Sequence, residues 1–370
     1  MEAFRSKRAF IMTASSAAVG LGNIFRFPAL AARYGISFIL FYIVALFTVG
    51  LPLLYAELFF GHSRGPTGDS KVTAALCRIN CTAVLCCYIV FFALVLKGAV
   101  NALFSGVSDY FFLLLAAALA IICFGSAEKI SKLAEVGLIF SVSVILIIAA
   151  LGLINKPSSL SGLFYPSGKP FSADFFASVF GQVFFSLSLA VGVMTTYGSM
   201  LQRGTPLLKS AVAVCLTDFG VSVLSTVVYL CLGGSDGAVY EGLSAYPLLF
   251  SSFFGVRVGR AVTLFFFSGL TLLSLSAVIS YIKALSVNGR NERKTAAAVT
   301  LFTAAVGLLL ITNELRGLRL TDQSILPLIG LFAGTVEAFF LSFKVKRFKL
   351  LLRFFIPSLL VFLILRKIFI

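Results

Sequence analysis

Arg26, Glu57, Asp218 and Glu337 stand inside apolar runs of this 370-residue chain. A charge at the centre of a bilayer costs roughly 2.5–3.5 kcal/mol on insertion scales, so each such residue is a candidate for function. Asn23 and Gln182 add uncharged polarity in the same setting. The run Ser15-Ser16-Ala17-Ala18-Val19-Gly20-Leu21-Gly22-Asn23-Ile24-Phe25-Arg26-Phe27-Pro28 puts two glycines, an Asn and a Pro into one apolar helix. Glycine is about 1 kcal/mol worse than alanine in a helix, and proline removes a hydrogen bond. Together they predict an unwound stretch near the membrane centre. Unwinding frees carbonyls to coordinate a cation and a half-helix N-terminus to hold an anionic group. Gln182 to Gly192, with Ser186 and Ser188, interrupts a second apolar run in the same way. Hydrolytic chemistry has no support: there is no HExxH, no GxSxG, and the single histidine, His62, is placed in a loop. The chain is therefore not expected to be an enzyme. The seven cysteines show no CxxC pairing and read as small buried hydrophobes.

The elements that position these groups are membrane helices. The chain is 59% hydrophobic and 12% charged, too little charge to coat a soluble domain of this length. Apolar runs of about 20 residues recur, and backbone groups in lipid must be satisfied within the chain, so the runs are helices. Eleven spans are predicted: 9–33, 36–60, 72–104, 109–125, 132–154, 172–201, 206–232, 259–286, 295–313, 323–343 and 349–366. Residues 61–69 and 155–170 read as loops, and 233–254 as a segment packed over one face of the bundle. The net charge of +16 suggests no nucleic acid, because the basic residues sit in short gaps between spans. Gaps holding Arg5, Lys7, Arg8, Lys129, Lys132 and Lys344 to Arg353 alternate with gaps poor in Lys and Arg. The positive-inside rule then places the N-terminus in the cytoplasm and, after an odd span count, the C-terminus outside. The basic-then-apolar start is not read as a signal peptide, because it carries Asn23, Arg26 and Pro28 and lacks a small-residue cleavage site. Spans one and six each open a group of five, an odd number, so the two groups run with opposite topology. This predicts a single transmembrane transporter domain over 1–370: a first inverted repeat at 1–154, a second at 172–345 and an additional helix at 349–370.

At these residues the chain resembles the neurotransmitter:sodium symporter family, whose bacterial members have the LeuT fold. Ala18 to Pro28 resembles the family's first-helix signature, and Gly50-Leu51-Pro52-Leu53-Leu54-Tyr55-Ala56-Glu57 its second. Glu128 to Lys132, Gln182 to Ser199, Gly269-Leu270-Thr271 and the Asp322–Glu337 spacing extend the likeness along nearly the whole chain. The resemblance implies an all-α polytopic membrane protein of the inner or cell membrane, with a 5+5 inverted repeat and broken helices one and six. It also implies sodium ions as cosubstrate, an amino acid or related amine as solute, and import by alternating access. A homodimer is left open.

Carried over residue by residue, it places a first sodium site at the backbone of Ala18, the Asn23 amide, Ser186 and Asp218, and a second at the backbone of Ser16, Val19 and Ser268 with the Thr271 hydroxyl. Ala17, Ala18, Leu21, Gly22 and Tyr88 would hold the polar end of the substrate, with Val84, Phe185, Ser186, Ser188 and Val191 around its side chain. Arg26 and Asp322 would pair as an outer gate, Glu57 would hydrogen-bond unwound backbone, and Glu337 would bond within the bundle.

Three positions depart from the family pattern. Asp218 stands where many relatives have Asn. It brings a negative charge beside positions Tyr42, Gln182, Ser186 and Ser222, which in chloride-dependent relatives hold chloride. An ionised carboxylate repels a nearby anion, which predicts chloride-independent transport. Leu272 stands where a hydroxyl ligand of the second sodium is usual and cannot coordinate a cation; Ser274 and Ser276 are alternatives if the register slips. The inner gate lacks its usual pair, Arg5 has no evident acidic partner, and Phe4 replaces a tryptophan. Leu272 and the thin inner gate keep a second reading open: a sodium-uncoupled carrier, or a membrane sensor that binds solute. Val84, Phe185, Val191 and Leu272 predict an apolar substrate side chain. Ser186, Ser188 and Thr271 have a bland alternative, bonding to carbonyls of their own helices.

Overall fold

The computed structural model describes residues 4–65, 71–103, 106, 108–165, 168–234, 239–287, 291–312 and 326–369. The first apolar run forms α1 (Lys7–Ala18), a π-helical turn at Gly22–Arg26, and α2 (Phe27–Tyr34). The two halves are bent by 57°. The second run is α3 (Ile36–Ala45), a π-helical turn and α4 (Leu51–Arg64). Then follow α5 (Lys71–Asn101), α6 (Asp109–Cys123), α7 (Ala127–Asn155), α8 (Ala173–Ser186), α9 (Val193–Ser199) and α10 (Leu207–Cys231). The chain continues with α11 (Val239–Phe254), α12 (Val256–Ser286), α13 (Glu292–Thr312), α14 (Leu326–Leu341) and, after a π-helical turn at Leu351–Phe355, α15 (Ile356–Phe369).

Serines start four of these helices by capping orphan amide groups. Ser6, Ser108, Ser126 and Ser172 accept from the backbone N–H three residues on, opening α1, α6, α7 and α8. Among the described residues, six helices are long and apolar enough to cross a membrane, and the bent pair α1–α2 makes a seventh. α6, part of α11, part of α14 and the last apolar segment are shorter apolar helices. The protein is a multi-pass helical membrane protein. Large apolar side chains such as Leu40, Ile79, Leu114, Ile122 and Leu309 are exposed on its outside, as a lipid-facing surface requires.

Parts of two expected loops are helical among the described residues. α4 runs on to Arg64, so His62 sits on a helix end instead of in a loop. A 3-10 helix at Pro157–Phe164 occupies the second expected loop. α11 packs over the bundle: Tyr246 stacks edge-on against Phe25 at 5.3 Å, and its hydroxyl donates to the Ile24 carbonyl at 3.3 Å. It thus braces the turn that follows the first break.

Helix α9 crosses α4 backbone to backbone. A carbon added at Gly198 would overlap the Leu58 carbonyl, and one at Gly61 the Thr195 carbonyl. Only glycine permits this approach, a device common between membrane helices. It fixes the inner half of the second broken span onto the second apolar run.

Candidate functional site

Both expected breaks are present, and each has a local cause. In the first, helix α1 stops at Ala18, and Asn23 folds its Oδ1 back to accept from Gly20 N–H at 3.0 Å. In the second, between α8 and α9, Ser188 (φ 51°) and Ala190 (φ 57°) lie in the left-handed region with Gly192 (φ 77°). Non-glycine residues there are strained by about 1–3 kcal/mol each unless the surroundings hold them, and such strain collects at functional sites. Three side chains hold this segment. Glu57 Oε1 accepts from Ala190 N–H at 2.9 Å, Asn80 Nδ2 donates to the Ala190 carbonyl at 2.9 Å, and Ser188 Oγ donates to the Ala17 carbonyl at 3.0 Å. The last of these ties the two breaks together. Replacing Glu57 with Ala leaves a buried amide without its acceptor, which is expected to cost about 1–3 kcal/mol. A lower thermal-unfolding midpoint in detergent checks this, and an unchanged midpoint refutes it.

At the first break, four buried residues converge. Asn23 Nδ2 lies 2.7 Å from Asp218 Oδ1, 2.9 Å from Ser186 Oγ, 2.9 Å from Ser222 Oγ and 3.2 Å from the Asp218 carbonyl. An amide nitrogen has two hydrogens, so it cannot satisfy four oxygens. Ser186 also donates to Asp218 Oδ1, and Tyr42 donates to Oδ2 at 2.7 Å. Ser186 and Ser188 thus bond across helices and escape the bland reading. The result is a buried carboxylate ringed by oxygen atoms, a donor set that fits a hard monovalent cation. In this arrangement Asn23 turns its nitrogen, and not the expected oxygen, toward the acid.

The expected second cluster uses the backbone of Ser16, Val19 and Ser268 with the Thr271 hydroxyl, and the Ser16 side chain has a contact of its own. Ser16 Oγ donates to Ser276 Oγ at 3.2 Å, in the buried contact of α1 with α12. Thr271 bonds to the Phe267 carbonyl of its own helix at 2.7 Å. Five helical residues separate Thr271 from Ser276, about 140° around the axis and about 7.5 Å along it, so the two cannot serve one point. Ser268, eight residues before Ser276, is farther still. Leu272 packs against Gly137 of α7, where a carbon added to that glycine would lie 3.1 Å from Leu272 Cβ.

Arg26, Val84, Phe185, Ser188 and Val191 line one cleft between α5, α8 and α12, joined by Asn80, Phe184, Leu189 and Tyr281. Phe185 closes over Gly22, where an added carbon would lie 2.6 Å from the ring, and the Tyr88 hydroxyl reaches Gly20. Arg26 sits over the Phe185 ring at 5.5 Å; Asp322, its expected partner, lies outside the described residues. Ala17, Ala18 and Leu21 are buried beside the cleft at the first break. Sequence reasoning missed Asn80 and Tyr281. Asn80 was findable, since residues 80, 84 and 88 share one helix face. Tyr281 carried no signal.

The N-terminal segment is held by an aromatic contact as well as by ion pairs. Phe4, buried, packs edge-on against Phe10 and Tyr197 at 5.6 Å each, and its N–H donates to the Met200 carbonyl at 3.0 Å. Tyr197 hydrogen-bonds Ser280 beneath. Arg5 does have an acidic partner, Glu128 at 2.6 Å, and Arg8 pairs with Glu135 at 2.9 Å. Both arginines are mostly exposed, so the pairs orient the segment more than they stabilise it. Lys97 bonds to Asp109 at 2.5 Å.

Discontinuous helices crossing at a buried polar site are the architecture of broken-helix membrane transporters. Residues 1–111 match the sodium:neurotransmitter symporter family. An uncharacterised sodium-dependent transporter of Methanocaldococcus jannaschii is 27% identical over 76% of this chain and 68% of its own length. YhdH of Bacillus subtilis, described in the same words, is 25% identical over 70% of this chain and 62% of its own. The matches thus span about two thirds of those relatives. The crystal structure of MhsT in complex with L-phenylalanine superposes with a TM-score of 0.82 at 22% identity, covering 99% of this chain and 100% of that one. The first 111 residues are thus similar to the sodium:neurotransmitter symporter family, and the chain as a whole has the LeuT fold.

Proposed function

We propose that this protein is a sodium-coupled symporter that imports an amino acid by alternating access, without chloride. The observation that carries the reading is the buried Asn23–Ser186–Asp218–Ser222 cluster, which joins the two breaks through one carboxylate. A sodium ion seated among these oxygens takes the place of the Asn23 nitrogen. A turn of the amide then offers Oδ1 as a ligand, at the expense of the bond it accepts from Gly20 N–H. Because Ser186 and Asn23 belong to opposite broken helices, the ion favours their closed arrangement. The adjoining amides of Leu21 and Gly22, freed by the break, suit a carboxylate, and no acid replaces Ala17 to favour a bare amine. MhsT, with the same fold, is described with L-phenylalanine bound, which supports an amino acid as the solute. The N-terminus is placed in the cytoplasm, and the two inverted repeats rock against one another about the breaks.

Chloride independence follows from the donors. Tyr42 and Ser186 spend their hydrogens on the Asp218 carboxylate, and Gln182 Nε2 donates to the Gly22 carbonyl at 3.1 Å. The residues that would hold an anion hold a fixed one instead. The test is uptake into proteoliposomes. Accumulation against a gradient that needs external sodium and survives replacement of chloride by gluconate supports the reading; uptake indifferent to sodium overturns it and favours the uncoupled carrier.

A second sodium is placed at Ser16, Val19 and Ser276. On this assignment Ser276→Ala lowers sodium affinity about threefold or more, the loss of roughly one hydroxyl ligand, while Thr271→Ala leaves it within about twofold. Sodium titrations of uptake distinguish them, and equal effects of the two substitutions refute the register.

A further inference from the structure

Asn80 lies on α5 one turn before Val84 and two before Tyr88, on the wall of the cleft, and is 2% exposed. Its Nδ2 donates to the Ala190 carbonyl. That bond fixes the amide, because the opposite orientation would set two carbonyl oxygens against each other. Its Oδ1 is thereby turned away from Ala190, and among the described residues it has no hydrogen-bond partner. A buried acceptor left unmade is costly, and native structures leave few without a reason.

The neighbouring hydroxyls do not supply a donor. Ser188 gives its one hydrogen to the Ala17 carbonyl, so in the 2.9 Å Ser188–Tyr281 contact Tyr281 is the donor. Tyr88 also hydrogen-bonds Tyr281. Cys81, one residue beyond Asn80, is committed to the Tyr281 carbonyl. The remaining wall, Val84, Phe185 and Val191, is apolar and suits the stem of a side chain.

We infer that Asn80 Oδ1 recognises a hydrogen-bond donor on the substrate's side chain, so that the solute is an amino acid whose side chain carries an O–H or N–H. This rests on the amino-acid reading above and narrows it, replacing the apolar side chain expected from Val84, Phe185 and Val191 with one that is apolar in its stem and polar at its end. A site built around an acceptor rejects isosteres that lack the donor, because they leave it unpaired.

The experiment is thermal unfolding of the full-length protein in detergent and sodium, titrated with isosteric pairs: threonine against valine, tyrosine against phenylalanine, glutamine against methionine. At least one donor-bearing member stabilises at a concentration about tenfold or more below its apolar isostere, and Asn80→Leu brings that ratio to within about twofold. Equal potency within every pair, preference for the apolar members, or a ratio unchanged in Asn80→Leu overturns the inference while leaving an amino-acid transporter intact. If no amino acid stabilises the protein with or without sodium, the amino-acid reading itself fails and takes this inference with it. Should Asn80→Leu not fold, the wild-type ratios alone decide.

Discussion

Asp218→Ala is expected to abolish sodium-dependent uptake. The substitution removes the acceptor of Tyr42 and Ser186 and one acceptor of Asn23, leaving buried donors in the membrane interior. It also removes the negative charge from a cation site. A unit charge pair at 4 Å is worth about 4 kcal/mol at an effective dielectric of 20, so sodium affinity falls about a hundredfold or more. Asp218→Asn separates the two effects. Asn keeps the shape and one acceptor oxygen but loses the charge. Its sodium affinity is expected to fall in chloride-free buffer and to recover partly when chloride is restored, since Tyr42 and Ser186, which donate to the Asp218 carboxylate, then have hydrogens for an external anion. Uptake in chloride and in gluconate, titrated with sodium, measures both. Wild-type sodium affinity in Asp218→Asn, regardless of chloride, would show that the charge is dispensable.

Gly198→Ala and Gly61→Ala are expected to be as severe, by a mechanism that involves no ion. Each added carbon meets a backbone carbonyl of the facing helix, Leu58 or Thr195, and no rotamer change relieves it. Overpacking typically costs 1–3 kcal/mol where side chains can yield; here α9 must move off α4, so a loss of about 3 kcal/mol or more is expected. Since α9 carries the inner half of the broken span, transport goes with it. The measurement is folded yield and unfolding midpoint, with Gly220→Ala as the control. Gly220 has nothing within 4 Å of an added carbon, so alanine there is expected to be neutral or slightly stabilising. Three variants that behave alike would refute the packing account.

How much was legible before any coordinate depends on whether a feature is local. The two breaks were, because glycine, proline and asparagine in an apolar helix act on their own backbone. The first-site residues were legible too, since Asn23, Ser186 and Asp218 are polar groups in apolar surroundings and need partners somewhere. That they find each other, with Tyr42 and Ser222 completing the ring, is a matter of packing between helices nearly 200 residues apart in the chain. The contact of Phe4 with Tyr197 was not legible, because it joins segments distant in the chain.

Composition and hydropathy alone decide that this chain crosses the membrane as helices, because a bilayer accepts no unsatisfied backbone and tolerates few charges. Local residue types decide that the first and sixth spans break. Only the tertiary structure decides which face of α12 meets α1, since an α-helix of serines and leucines fits several registers equally well by sequence. That choice sets Ser276 beside the Ser16 side chain and turns Leu272 against Gly137. Only packing, likewise, brings Tyr281 to the cleft and leaves the Asn80 oxygen there without a donor. Hydrogen-bond satisfaction is a sum over neighbours, and neighbours across a helix bundle are not written in the order of residues.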